Sequence, residues 1–440
     1  MKLRSLALAT VVLAALLGAL YWSDHRKPEE TKASADSSPA ILKVNEAAIT
    51  QVVIEKKDAE PLVLSRNSSS AWQITQPKLL NADQSSVSNV LSTLSNLDSD
   101  RLVDSKTSDL QQYGLAQPAV EVDLTEKDKS QKLLIGDATP TGNDVYAMLE
   151  GDPRVFTMAK YHETSIDKST NDLRDKRLIT LSPEKISRVD LTRKNQDIEF
   201  GRNKDEWQIL KPKPLRANSN QVGELVSKLA DAQMDVSGTD RKAATEGFAH
   251  ATPVATARVT DPSGTQEIEI RKNKDTYYAK SSVVEGDYKV DSALGQAVDK
   301  GLDDFRNKSI FDFGYNEPDK IEVHTGSKAT FLTKGGNDWW GPDGKKLEAG
   351  SVEDLIAKLR DLAASKFADS GFANPTVDIT VASDSGKRVE KIAIAKSGSG
   401  YIAKREGDST LYDLDSSSVD GLEKAADDIK PVATPGKTGK

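Results

Sequence analysis

The sequence predicts an α+β fold of three tandem repeats, each a small, mostly antiparallel sheet with two helices, after one N-terminal transmembrane helix. Three observations predict it. Tryptophan-centred segments recur at a long, regular spacing, short segments alternate apolar and polar residues, and apolar residues spaced three and four apart follow each tryptophan. The predicted boundaries are a signal anchor at 1–22, a flexible tether at 23–43, repeats at 44–180, 181–315 and 316–430, and a disordered tail at 431–440.

The N-terminal segment has the features of a membrane anchor. Residues 6–22 (LALATVVLAALLGALYW) carry no charge and would form a helix of roughly 25 Å, close to the thickness of a bilayer core. Because Lys2 and Arg4 precede this run, the positive-inside rule places the rest of the chain outside the cytoplasm. The predicted location is the bacterial inner membrane, single-pass, with the bulk of the chain in the periplasm. A cleaved signal peptide is the alternative.

The first strands of each repeat follow from a period of two. AITQVVIEKK (48–57), KISRVDLTRK (185–194) and KIEVHTGSK (320–328) alternate apolar and polar residues, as half-buried strands do. A second short strand follows in each copy, and then a strand that holds tryptophan. That strand reads AWQITQP (71–77), EWQILKP (206–212) and, in a divergent third copy, WWGP (339–342). Proline ends it because proline cannot donate to the ladder.

An amphipathic helix follows each tryptophan strand. Its apolar residues form one stripe in every copy, and Asp83, Asn218 and Ser351 are the predicted N-caps. A buried tryptophan removes about 150–250 Å² from water, so it can fix a small sheet against such a helix. The second half of the repeat opens on a glycine turn, continues through four strands and closes with a polar helix. The predicted structural anchors are Trp72, Pro77, Trp207, Pro212, Trp339, Gly114, Gly247 and Gly371.

This order of motifs resembles the bacterial membrane-anchored domain-of-unknown-function family 4340. The resemblance covers about residues 44–430 through the isoleucine-led strand, W-x-I-x-x-P, the amphipathic helix, Y-G-L-x-x-P and L-R-D-K-x-L. The third copy departs from it, with WWGPDG in place of the tryptophan motif and no final L-R-D-K. The family has no established catalytic residues. The resemblance implies partners: an ABC-2 type permease, its ATPase and a protein related to the gliding-motility auxiliary protein.

No catalytic, cofactor-binding or metal-binding residue is predicted. The chain has no cysteine, and its four histidines lack ligand partners at helical spacing. It contains neither G-x-S-x-G nor a Walker motif. A net charge of −8 with mixed signs argues against nucleic acid as a partner. The predicted partner contacts are Trp340 and Tyr277, each one member of an aromatic doublet on a predicted strand.

The predicted function is therefore that of a non-enzymatic, membrane-anchored envelope scaffold, or an extracytoplasmic accessory of an ABC export or gliding-motility-type complex. The alternative is a periplasmic binding module for envelope polymers or peptides, which would use clefts between the repeats. A hydrolase with an unfamiliar site is the third class. One deep pocket with convergent polar groups would favour an enzyme, whereas apolar patches and open strand edges would favour a scaffold.

Overall fold

A computed structural model describes residues 40–127, 129–237 and 241–433. Strands make up 42% of it and helices 23%, and the strands form three large antiparallel sheets. The fold is therefore mostly β, and the predicted α+β class with two helices per repeat is wrong. Short segments that flank the helices also pair as strands. The described helices number three, four and two across the three sheets, because two predicted closing helices each break in two and one helix was not predicted.

The chain divides into two compact units, Met1–Lys176 and Arg177–Lys440. The first unit contains the first sheet, with strands and helices β1 (Ile49–Lys56), β2 (Leu62–Arg66), β3 (Trp72–Gln76), β4 (Leu80–Asn81), α1 (Gln84–Ser95), β5 (Arg101–Asp104), β6 (Val120–Glu126), β7 (Lys129–Ala138), β8 (Asp144–Leu149), β9 (Val155–Ala159), α2 (Lys160–Ile166) and α3 (Thr170–Leu173). The strand order is β4-β3-β2-β1-β6-β7-β8-β9-β5.

The second unit contains two sheets. The second sheet comprises β10 (Arg188–Arg193), β11 (Gln196–Asn203), β12 (Glu206–Lys211), β13 (Leu215–Arg216), α4 (Ser219–Ala230), α5 (Arg241–Ala249), β14 (Thr252–Asp261), β15 (Gly264–Asn273), β16 (Thr276–Ser281), β17 (Asp287–Val290), α6 (Ser292–Val298) and α7 (Leu302–Phe305). Its order is β13-β12-β11-β10-β14-β15-β16-β17.

The third sheet comprises β18 (Lys320–Thr325), β19 (Lys328–Gly335), β20 (Asp338–Trp340), α8 (Ala349–Asp361), β21 (Lys366–Ala368), β22 (Val377–Ser383), β23 (Arg388–Ser397), β24 (Gly400–Arg405), β25 (Leu411–Leu414) and α9 (Ser416–Asp427). Its order is β20-β19-β18-β22-β23-β24-β25-β21. The unpredicted helix α5 contacts β17 in the second sheet, at the edge where β5 and β21 pair in the other two sheets.

Each sheet is built from two antiparallel meanders that meet at its centre. The central pairs are β1 with β6, β10 with β14 and β18 with β22. A helix follows each meander, and the two helices of a sheet contact each other: α1 with α2, α4 with α6 and α8 with α9. Apolar residues that alternate along the strands and the apolar stripes of these helices form one core for each sheet. The sequence pattern thus fixes which face of each sheet is covered.

Two short segments of chain complete every sheet. A segment that we call the strap precedes the first strand of each sheet, at 41–44, 178–181 and 310–313, and its apolar residues pack into the core. The backbone amides of Ile41, Leu178 and Ile310 each donate a hydrogen bond to a backbone carbonyl just after helix α1, α4 or α8. A segment that we call the exit segment leaves each sheet, at 173–175, 305–307 and 430–432. Its backbone pairs with the chain at the sheet edge: at the end of β4, at the end of β13, and at residues 346–348 of the third sheet. The predicted tether thus ends inside a core, and the first residues of the predicted tail pair with the third sheet.

The helix starts agree in part with the predicted caps. Asp83 accepts a hydrogen bond from the backbone of Ser86 at 2.7 Å, and Asn218 caps α4 in the same way. Helix α8 begins at Ala349, so its N-cap is Glu348 and not Ser351, and the Glu348 side chain makes no capping bond. The third helix therefore starts without the side-chain bond that stabilises the other two.

The predicted location requires a correction. Within residues 40–127, 129–237 and 241–433, no helix is long and apolar enough to cross a membrane. The predicted anchor at 1–22 lies outside these residues, as does the predicted tether from 23 to 39. A single-pass inner-membrane location is not supported.

Candidate functional site

A cluster of charged side chains lies where the edge of the second sheet meets the third. Arg216 on β13 donates to the carbonyl of Ser309 at 2.8 Å and to the hydroxyl of Tyr412 at 3.0 Å. It also forms an ion pair with Asp312. Burial opposes the charge of Arg216, but Asp312 and Tyr412 outweigh that effect and raise the pKa of the guanidinium above its usual range. The arginine is therefore held as a cation between the two sheets.

Asp312 is the centre of the cluster. Its carboxylate also accepts from Asn307 at 3.2 Å and from Arg405 at 3.1 Å. Its backbone carbonyl accepts from Arg388 at 2.7 Å. A charged carboxylate that accepts several donors in this way is bound more firmly than one in a single surface pair. The strap of the third sheet is thereby tied to the edge of the second.

Glu390 on β23 completes the buried part of the cluster. It is 6% exposed, and its Oε1 accepts from the Asp312 backbone at 2.8 Å and from Arg405 at 3.0 Å. Its Oε2 is one of the few buried side-chain atoms, within the described residues, that have no hydrogen-bond partner. A buried carboxylate oxygen left without a donor carries a free-energy cost.

Two further contacts extend the junction. Asp408 accepts from the Tyr412 hydroxyl at 2.9 Å and from the Thr410 amide at 2.8 Å, and these bonds lower its pKa although burial acts to raise it. Burial raises the pKa of Tyr412, which keeps the hydroxyl protonated as a donor. The guanidinium of Arg306 lies 3.4 Å from the ring centroid of Phe367.

The same positions in the other two sheets carry no such cluster. Register and strap hydrogen bonds align Asp312 with Thr180 and Lys43, and Glu390 with Gln266 and Gln131. Thr180 and Gln266 bond each other through neutral groups at 2.8 Å. Of these three pairs, only Asp312 and Glu390 are both charged, and they belong to the third sheet, whose strap contacts the edge of the preceding sheet within the second unit.

A cleft of ≈ 850 Å³ opens beside the cluster. It is lined mainly by polar residues from β12, β13, the start of α4, the third strap, the start of β23 and the loop after β24, among them Glu206, Arg216, Arg388, Glu406 and Asp408. This volume lies within the usual range for ligand sites, but most such sites are more apolar. Among the residues that the structure describes, no three His, Asp or Glu side chains are arranged to hold a metal ion.

The predicted anchors lie in the following places. Trp72, Trp207 and Trp339 are 5%, 7% and 7% exposed, and each belongs to the core of its sheet. Pro77 and Pro212 directly follow β3 and β12. The guanidinium of Arg66 lies 4.6 Å from the Trp72 ring, and Gln84 bonds both backbone polar groups of Trp72.

The predicted glycines lie at close approaches of the chain. Gly114 has a φ of 71°, and a Cβ there would meet Asp137 at 2.4 Å, so the turn requires glycine. Gly247 lies in α5 against the ring of Tyr278, and Gly371 has a φ of 102°. Of the predicted partner contacts, Trp340 is 39% exposed. Tyr277 is 5% exposed and packs on Gly295, which leaves it no surface for a partner.

Comparison with known proteins identifies one family. The family model described as "Domain of unknown function (DUF4340)" matches residues 72–249 and 207–378. The two matches overlap, and they start at Trp72 and Trp207, the same position in two successive sheets. No curated protein matches. A solved DNA polymerase sliding clamp from Pseudomonas aeruginosa, crystallised with a ligand, aligns over 86% of this chain and 94% of its own at 8% identity. Its TM-score of 0.18 is too low to support any conclusion.

Proposed function

The chain belongs to the DUF4340 family, a domain of unknown function, and from that premise we propose that it is a non-enzymatic scaffold, an accessory of an ABC export or gliding-motility-type complex. Its work would be to hold partner proteins at fixed positions. The description of the family assigns no chemistry, so the proposal rests on the geometry of the second unit.

One observation carries the proposal. Three charged groups beside the cleft of ≈ 850 Å³, Arg216, Asp312 and Arg405, are bound to one another across the junction of two sheets. Because their donors and acceptors are used on one another, these groups hold the two sheets in register. The arrangement favours a rigid platform that presents its outer surfaces.

The partners we propose are an ABC-2 type permease, its ATPase and a protein related to the gliding-motility auxiliary protein. Their basis is the sequence resemblance described above. It is an association and gives no contact geometry, so the test must detect the complex directly.

The test is affinity purification of the tagged full-length chain after mild detergent extraction, with Arg216→Ala and Arg154→Ala compared in parallel. Arg154 forms an exposed pair with Asp152 and serves as the matched control. We expect the permease and the ATPase to be recovered with wild type and with Arg154→Ala, and about tenfold less with Arg216→Ala because the platform loosens. Recovery of neither component with wild type, or equal recovery with both variants, would contradict the proposal.

A binding module for polymers or peptides is the second candidate, and the polar cleft of ≈ 850 Å³ favours it. Calorimetric titration of the full chain with a panel of oligosaccharides and peptides would test it. Binding that weakens in Arg388→Ala, at the rim of the cleft, would move weight from the scaffold to this alternative.

A further inference from the structure

The edge of the second sheet meets its neighbour through a row of three side chains. Gln208 on β12 pairs with Arg216 on β13. The exit segment pairs with the other side of β13: the Asn307 amide donates to the Arg216 carbonyl, and Ala217 and Arg306 form a β-bridge. Paired residues of antiparallel strands project from the same face. Gln208, Arg216 and Asn307 therefore form one row, and two of them bind the carboxylate of Asp312.

The third sheet has the same edge with different chemistry. Trp340 pairs with Lys346, and the exit segment pairs on the other side through Val432, which donates to the carbonyl of Lys346 at 2.9 Å. We name Trp340, Lys346 and Val432 the terminal row. It aligns residue by residue with the row that binds Asp312, because the pairing is the same in both sheets.

The terminal row is exposed. Trp340 and Val432 are 39% and 48% exposed and belong to the small group of large apolar side chains that are exposed in the described part of the chain. Lys346 is half exposed between them and makes a surface ion pair with Asp338 at 2.9 Å. Surface pairs of this kind contribute little and exchange readily. Tryptophan is enriched in protein–protein interfaces, and exposed apolar side chains rimmed by polar ones mark such sites.

We propose that the terminal row binds a partner protein through a carboxylate flanked by apolar side chains. Lys346 would take the role of Arg216 and bind the carboxylate, while Trp340 and Val432 replace Gln208 and Asn307 with apolar contact. The inference rests on the proposed scaffold function and names one surface on which a partner docks.

A second copy of this chain is the less favourable occupant. Three straps carry a residue at the position that such a row binds: Lys43, Thr180 and Asp312. Lys43 would repel Lys346, Thr180 has no charge, and Asp312 is already bound by Arg216. Charge complementarity therefore points to a separate protein with an acidic side chain at this position.

The experiment measures binding of a fluorescent peptide to the full-length chain. The probe is SIFDFGYNEPDK, residues 309–320 of this chain, which presents Asp312 among apolar side chains. The matched probe carries Asp312→Lys. We expect saturable binding of the first probe with a Kd below about 1 mM, and at least about tenfold weaker binding of the second. We also expect a loss of about tenfold in Trp340→Ala and in Lys346→Glu, and none in Leu79→Ala, an exposed leucine of the first unit.

Three results would overturn the inference. They are no saturable binding of the first probe, equal binding of both probes, and full binding by a variant that combines Trp340→Ala with Lys346→Glu. A self-association in sedimentation equilibrium that Trp340→Ala abolishes would assign the row to a second copy and overturn it as well. These outcomes leave the scaffold proposal standing, because its test depends on Arg216 and on recovery of the transporter components.

Discussion

Trp72 and Trp207 occupy the same place in their sheets, at the start of β3 and β12, the strands that precede the short edge strand and the helix. Both are buried, and an arginine lies over each ring, at 4.6 Å for Trp72 and 5.9 Å for Trp207. We expect Trp→Ala at either position to lower the free energy of unfolding by about 3–5 kcal/mol, because the cavity and the lost transfer energy add. Trp340→Ala, on the surface, should cost less than about 1 kcal/mol. Urea denaturation of the three variants checks this, and equal costs would refute the assignment.

Asp408 gives the junction a dependence on acid. Its folded-state pKa lies below the unfolded value of 3.8, since hydrogen bonds from Thr410 and Tyr412 overcome the effect of burial. Its contribution is therefore present above the unfolded pKa and is lost as the pH falls through the folded pKa. We expect the unfolding free energy of wild type to fall more steeply than that of Asp408→Asn below about pH 4. Denaturation curves at a series of pH values measure both slopes, and parallel slopes would show that Asp408 contributes nothing.

At the scale of single elements, the helix starts offer a paired test. Asn218 and Glu348 have similar extended backbone angles, but only Asn218 makes a capping hydrogen bond. Asn218→Ala should therefore destabilise by about 1 kcal/mol, and Glu348→Asn should stabilise by about 0.5–1 kcal/mol. Thermal unfolding of the second unit within the full chain reports both changes. A loss of stability in Glu348→Asn would mean that the α8 start cannot accept a cap.

The elements differ in how far the sequence could predict them. The long strands and the helices α1, α4 and α8 were predicted because period two and period 3.6 need several residues to become visible. The edge strands β4 and β13 have two residues each and the strands β5 and β21 three or four, so they carry no period and exist through pairing alone. The fold class was wrong because the predicted strands of each copy already outweigh its helices, and these short strands enlarge the sheets further. The straps were missed because two or three apolar residues in a polar stretch have no pattern.

The candidate site was missed for a different reason. Arg216, Asp312, Glu390 and Arg405 are far apart in the sequence, and single charges are common in a chain with 29% charged residues. A signal did exist. Aligning the three straps places Lys43, Thr180 and Asp312 at one position. The facing residue on the sheet is glutamine in the first two copies and glutamate, Glu390, in the third. When two positions change together in one repeat of a chain, the change indicates that their side chains are in contact, and no sequence of a related protein is needed to detect it.

At the scale of the whole molecule, the second unit should behave as one cooperative body. Arg216 and Asp312 are 21% and 29% exposed at their side chains and join its two sheets. A double-mutant cycle with Arg216→Ala and Asp312→Asn should give a coupling energy of about 1–3 kcal/mol, because both partners also bond other groups of the junction. The exposed Arg154–Asp152 pair, treated in the same way, should couple far less. Additive single changes at Arg216 and Asp312 would show that the sheets are held by other contacts.

The strap and the exit segment have a consequence for the history of the gene. Because each copy supplies its own strap before the sheet and its own exit segment after it, a duplication or a loss of one whole copy leaves no unfinished core. Copy number can then change by simple recombination. Changes in the three residues of the row at the edge of a sheet alter the surface that meets a neighbour, and in the third copy these residues are tryptophan, lysine and valine.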